Sequence, residues 1–468
     1  MTFLCLVTAL CHSSDAGQKE LQFAKKPIAY TDLPAELCGW LEKQGINNER
    51  FEAYIASVNR KTAERELQGE YDHLIHFFLQ SESFTSHPKL EPALSAHEFF
   101  NNLNDSEKSK YLAHGSDYSP PKERMPNSAR ARMNDFIRAV RKESKDRRLA
   151  YFKAWLNKTT DPTAPLDQQL YAQYARAMKF LYRKEFASRT VAQKDSAAFI
   201  ASLYQERGHS TDTQIEANFA VYIALASLKA QSPSTRIKKV LIVGPGLDFA
   251  PRTDLIDLFG PQSYQPFAVA DALLKLELSD TASLRIHCVD INERVIDYLK
   301  NLSKDQSTSL SLISGIADSN AHPLTNEYKE YFLAFGSKIG KWSAMTVPPA
   351  FAGHLSKSVA VSSTIAGSIS ADKLNIITER YEPSPGYELV IVTNVFPYFN
   401  ASELLFALTN ISTMMAEGGY LIHNELQTVP SSFVTKLGLP LKQARTVLIA
   451  ESENTPLFDG IAIHQKMK

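Results

Sequence analysis

Cysteine is scarce. Cys5, Cys11, Cys38 and Cys288 are the only four in 468 residues, and no Cys-x-x-Cys occurs. A disulfide-built scaffold, a zinc ribbon and a thioredoxin-type dithiol are therefore excluded. Neither sign of charge dominates, since 51 Lys+Arg offset 51 Asp+Glu. Neutralising a phosphate backbone needs a basic excess or a basic face, so nucleic acid is not expected as a partner. No apolar run reaches about 18 residues, so no membrane span is expected. Internal repeats and low-complexity tracts are missing too. The chain does have ordinary globular amounts of apolar (44%) and charged (22%) residues, enough to bury a core. Its length suits two or three domains.

Residues 1–16 are a possible leader or a frayed end. Phe3 to Leu10 is apolar and Ser14-Asp15-Ala16 is small, but no Lys or Arg precedes the apolar stretch. A cytoplasmic protein is expected, with export the alternative if residues 1–16 are cleaved. Residues 17–165 have a helical pattern. Leu41, Phe51, Tyr54, Ile55 and Val58 open it, and Leu74, Ile75, Phe77, Phe78 and Leu79 make a wide apolar stripe. Between Ala129 and Trp155, basic residues including Arg130, Arg132 and Arg148 interleave with acids, which reads as a solvated helix face or a docking surface for an acidic partner. Glu70, Asp72, His73 and His76 lie about one helical turn apart. No further ligand suggests itself, so a hydrogen-bonded helix surface is expected and no metal is assigned.

Asp161-Pro162-Thr163-Ala164-Pro165 reads as a linker, and residues 166–235 as connecting helices. Thr213-Gln214-Ile215-Glu216 has the spacing of a capping box. Near residue 236 the pattern changes to apolar runs alternating with helical stretches. Val240–Val243, Ser283–Val289, Leu374–Thr378, Glu388–Thr393 and Tyr420–Asn424 are the strand candidates, with Ala444–Ala450 and Gly460–Gln465 closing as an antiparallel hairpin. The expected fold class is α/β: a doubly wound, mostly parallel sheet over 166–468, preceded by an α-helical region.

The chemistry should lie where Val240–Val243 runs into Gly244-Pro245-Gly246, because two residues without Cβ let a ligand approach the backbone. The second strand ends in Val289-Asp290-Ile291, an acid suited to accept both hydroxyls of a ribose or, alternatively, to cap the next helix. Phe249 stands where a dinucleotide fold would place a third glycine, so the site suits a nucleoside without phosphates.

These residues resemble the class I S-adenosylmethionine-dependent methyltransferases. The resemblance rests on Gly244-Pro245-Gly246, on Asp290, on the run Glu388 to Phe399 containing Asn394-Val395-Phe396-Pro397-Tyr398, and on Gly418-Gly419 before the fifth strand. The fourth-strand motif is also similar to that of the methyltransferases acting on chemotaxis-receptor glutamates. The resemblance implies S-adenosyl-L-methionine as cofactor, held by Gly244, Pro245, Gly246, Asp290, Ile291 and Asn394. It implies an unidentified acceptor, a small molecule or a protein side chain. Asn394 and Tyr398 would position it, and His423 or Glu425 would serve as base. Ile316 to Asp318, or Glu379, would contact the adenine. An insertion at about 301–372 would form a lid. A nicotinamide-dependent oxidoreductase and a non-catalytic binding module on the same fold are the alternative readings.

Overall fold

The computed structural model describes residues 24–113, 115–249, 253–302, 308–426, 429–452 and 456–467. The expected leader, with Cys5 and Cys11, lies outside them, as does Pro251. Among the described residues no helix is long and apolar enough to cross a membrane.

Helix α1 (Ala35–Glu42) is followed by α2 (Asn48–Gln80), whose first turn is capped by Asn47 Oδ1 accepting the Arg50 N–H. At 33 residues, α2 is about 50 Å long. Its apolar stripe serves two cores. Phe51, Ile55 and Val58 pack with sheet residues Leu241, Val243, Val390 and Val392. Leu74, Ile75 and Phe78 pack instead among α3 (Pro92–Asn101), α4 (Asp105–Leu112), α5 (Asn127–Val140), α6 (Arg147–Thr159) and α7 (Leu166–Glu185). The boundary expected at residue 165 therefore separates no cores: α7 lies beyond it yet completes the helical one. The basic stretch is not simply a solvated face either. Arg132 is fully buried and donates to the carbonyls of Phe78, Ser81, His87 and Pro88. Arg130 donates to those of Lys122, Glu123 and Met125.

Two helices, α8 (Gln193–Glu206) and α9 (Glu216–Gln231), lead to the sheets. Strand β1 (Ala24–Pro27) pairs with β8 (Glu379–Glu382) as a separate ribbon. The central sheet contains β2 (Lys239–Val243), β3 (Arg285–Asp290), β7 (Ile369–Lys373), β9 (Tyr387–Val392), β10 (Met415–His423), β11 (Leu441–Ala450) and β12 (Leu457–Gln465), in the order β7-β3-β2-β9-β10-β12-β11. The first five of that order are parallel; β12 runs antiparallel to β10, and β11 to β12. Val240-Leu241-Ile242-Val243 is apolar throughout because its alternate side chains enter different cores. Val240 and Ile242 face α9 and α10 (Gln265–Lys275), whereas Leu241 and Val243 face α1, α2 and helix Ala401–Met414.

Three expectations are corrected. The third strand of the sheet is Ile369–Lys373, and Leu374 to Thr378 is the loop after it. As an edge strand paired only with β3, β7 alternates buried and exposed residues, so Ser370, Asp372 and Lys373 hide it from a search for apolar runs. The capping box is not made: Glu216 turns away and accepts from the Gly315 N–H and the Tyr328 hydroxyl, while the Thr213 N–H donates to the Leu247 carbonyl. Those Glu216 partners belong to the insertion, an antiparallel sheet of β4 (Thr308–Ala317), β6 (His354–Val361) and β5 (Gly340–Ser343) with helix Asn326–Ala334. It packs Tyr328 and Tyr331 on Phe219 of α9, to the side of the sheet rather than as a lid.

One crossing ties the helical part to the sheet. Arg65 of α2 donates to the carbonyls of Tyr204, Arg207 and Tyr398, and its own carbonyl accepts from the His209 N–H. One turn on, Gly69 passes so close to Gly208-His209 that a Cβ there would lie 1.8 Å from the His209 carbonyl oxygen. Gly69→Ala should accordingly cost more than about 2 kcal/mol in urea unfolding, whereas Gly39→Ala in α1, where a Cβ meets no atom within 4 Å, should be neutral or stabilising.

Candidate functional site

The order of the central sheet reverses at β2, which lies between β3, the next strand in sequence, and β9, reached only after the edge strand. Open parallel sheets bind ligands beyond the carboxyl ends at such a point. A cavity of about 90 Å³ lies there. It is walled by Gly244 and Gly246 after β2, Asp290 and Ile291 after β3, Leu374 to Ile377 after β7, and Thr393 to Val395 after β9. Segment 209–213 and Thr62 of α2 complete it, with Tyr398 and Phe399.

Both glycines have the left-handed backbone that side chains disfavour, φ +66° in each case. After Gly246 the chain does not enter a helix. The Leu247 N–H donates to the Thr211 carbonyl at 2.7 Å and Asp248 exchanges hydrogen bonds with Gln262, so the next helix among the described residues is α10, from Gln265. Pro245 is buried and off the cavity wall.

Asp290 is buried, and desolvation pushes its carboxyl up to about 6. The N–H groups of Asn292, Gly246 and Ile291 offset part of that burial. Helix capping falls to its neighbour: Asn292 Oδ1 accepts the Arg294 N–H at the start of α11 (Glu293–Leu302). Glu66 of α2 is likewise pushed up to about 7, first by burial and then by the nearby charges of Asp290, Glu70 and Glu293. Glu70 is deeply paired, accepting from Arg294 and Asn292 at 2.8 Å and from the Tyr151 hydroxyl at 3.0 Å. Of the Glu70–His76 group, then, one member fastens α2 to the loop after β3.

Asn394 holds a left-handed backbone, φ +59°, through a reciprocal pair of hydrogen bonds with Asn424 at 2.9 and 2.8 Å. Tyr398 meets the ring of His209 edge-on at 5.5 Å. His209 belongs to Gly208–Asp212, a stretch whose short link to β2 through the next helix places it near the site from sequence alone, although the ring itself is not singled out there. Both its ring nitrogens are buried without a partner, and burial beside Arg65, Lys61 and Arg207 holds its pKa well below the usual range, so it is neutral.

His423 stands elsewhere, inside the sheet. Its Nδ1 accepts the Glu425 N–H, leaving Nε2 to donate to His464 Nε2 at 3.0 Å, while His464 Nδ1 donates to the Leu439 carbonyl. With both nitrogens engaged and burial pushing its pKa down to about 3, His423 is no base; it joins β10 to β12. Ile316 to Asp318 and Glu379 do not line the cavity either; Leu374 to Ile377 occupy the side assigned to them.

No family model matches the chain, and no curated protein is significantly similar to it in sequence. Solved structures it is similar to include the N-methyltransferase NodS from Bradyrhizobium japonicum with S-adenosyl-L-homocysteine. That likeness has 12% identity and a TM-score of 0.26, over 53% of this chain and 86% of that one. A TehB-like SAM-dependent methyltransferase from Corynebacterium glutamicum aligns at 12% identity and a TM-score of 0.25, over 61% and 98%. The magnesium protoporphyrin IX methyltransferase from Synechocystis aligns at 9% and 0.25, over 53% and 80%.

The raised Asp290 pKa has a consequence for stability. Between about pH 4 and 6 the folded chain keeps a proton that the unfolded chain has released, so Asp290's contribution falls as pH rises through that window. Asp290→Asn should remove that fall and stabilise the ligand-free chain at neutral pH by up to about 3 kcal/mol, read from urea midpoints against pH.

Proposed function

We propose that the cavity binds S-adenosyl-L-methionine and that the protein transfers its methyl group to a separate acceptor. The observation that carries this reading is the pairing of a buried carboxylate at the end of β3 with a glycine loop that leads into no helix. A dinucleotide's pyrophosphate would want the N–H groups of a helix N-terminus there. Asp290 instead offers acceptors for the hydroxyls of an uncharged ribose. Leu374, Ile376 and Ile377 supply an apolar slot for a flat base, and the glycines let the backbone approach the ligand.

The cofactor brings an electrophilic methyl on a sulfonium, whose departure as a thioether requires no proton. The chain therefore has to bind, align and keep water out. Asp290, Gly244, Gly246 and Ile291 hold the nucleoside, while Asn394 and Tyr398 fix the opposite end of the cavity. Neutral His209, beside Tyr398, keeps a hydrogen-bonding nitrogen available in a dry pocket.

Calorimetry on the full chain tests the reading. S-adenosylhomocysteine should bind with micromolar affinity and NAD not measurably; tight NAD binding without any response to the thioether would overturn it. Asp290→Ala should lose about 1.5–3 kcal/mol of thioether affinity, the worth of hydrogen bonds to a charged group. Since those bonds require the carboxylate, wild-type affinity should also rise from about pH 5 to 7 and then level off.

A further inference from the structure

A second cavity, of about 160 Å³, adjoins the first, and Ser210 and Asp212 stand in the walls of both. Its other walls come from the helical part, from α2, α6 and α7, and from Phe249.

Among the described residues, three buried polar atoms on this wall have no hydrogen-bond partner. The His73 side chain is 9% exposed and stacks on Phe249 at 4.1 Å between ring centroids. Its Nδ1 faces the Glu70 carboxylate at 3.7 Å, beyond hydrogen-bond length, and among the described residues neither ring nitrogen makes a hydrogen bond. Arg207, whose guanidinium stacks on Phe180 at 4.0 Å, has an orphaned Nε. Buried donors and acceptors are rarely left so, and three on one cavity mark where a ligand completes them.

The charge of that ligand follows from its surroundings. Asp72 is taken by Arg176 and Arg207, and Glu70 by Arg294. Arg148 also lines the cavity, but two of its five N–H groups donate to the neutral carbonyls of Ile256 and Phe259, and among the described residues it has no carboxylate in ion-pair contact. Asp146, Asp248 and Asp257 act on it only through space, so among the described residues no carboxylate meets its remaining N–H groups. The rings of Phe77, Phe152, Phe180 and Phe249 surround the space between.

The geometry points to an acceptor site for a small aromatic carboxylic acid, an inference that rests on the reading of the first cavity. The carboxylate lies on Arg148, the ring lies among the phenylalanines, and a hydroxyl or amine turns past His73 toward Ser210 and Asp212, where the two cavities meet. His73 receives the hydrogen bond of that group.

The test uses calorimetry on the full chain with para-hydroxybenzoate, its uncharged amide, and benzoate. The acid should bind and the amide should bind about tenfold more weakly or not at all. Arg148→Gln should abolish that preference, and Arg148→Lys should restore most of it, which separates lost charge from lost folding. His73→Phe, which keeps the stack, should weaken para-hydroxybenzoate and leave benzoate unchanged. Equal binding of acid and amide, no acid binding at millimolar concentration, or an Arg148→Gln variant that still prefers the acid would overturn the inference. S-adenosylhomocysteine is titrated separately. If it binds while the acids do not, only the acceptor proposal falls; if the acids bind and it does not, the reading of the first cavity falls.

Discussion

The backbone crossing between α2 and segment 207–213 is the contact on which both cavities depend. Gly69 and Gly208 permit it, since a Cβ on either would meet main-chain atoms of the other segment. Arg65 fixes it by donating to three carbonyls, two at the end of α8 and one, Tyr398, in the segment after β9. Asn59, two turns earlier, accepts from Asn375 and Thr378 of the loop after β7, and Glu70 binds Asn292 and Arg294 after β3. One helix thus holds the loops at three strand ends, and 209–213 lies beside it where Ser210 and Asp212 line both cavities.

The two cavities differ in what has been left unsatisfied. Around the first, acids are held in a dry place: Asp290 and Glu66 both have raised pKa values because burial outweighs the N–H groups and cations near them. Around the second, Asp72 and Glu70 are already paired, whereas Arg148 meets neutral carbonyls and has carboxylates only at a distance. Such arrangements stabilise nothing in the empty chain, and they make sense as preparation for partners of opposite kinds.

The sequence made the sheet legible wherever a strand is buried on both faces, as with Val240–Val243 and Leu389–Val392, since a short run without a polar residue has no side to turn to water. It concealed β7, whose alternation belongs to an edge, and the apolar loop that follows took the strand's place. Gly244, Gly246 and Asp290 could be found because they sit at fixed offsets from buried strands. His209 could be placed only as part of Gly208–Asp212, since the surroundings of its ring depend on α2, more than a hundred residues away in sequence. His423 misled for the opposite reason: strand-end position suggested chemistry, but its partner His464 comes from a strand paired by tertiary structure alone. The helical boundary was misplaced at a Pro-rich loop, which is a turn between α6 and α7 within one core.

The length of α2 bears on how such a chain can be inherited. Since its first half roofs the sheet and its second half is central to the helical core, neither part is a portable module. A gene fusion that carried off the sheet alone would leave Leu241, Val243, Val390 and Val392 facing water where Phe51, Ile55 and Val58 had been. Duplication and divergence of the whole chain keep that roof in place, and changes to the second cavity are then confined to side chains on α6 and α7, which can vary without disturbing the crossing at Arg65, Gly69 and Glu70.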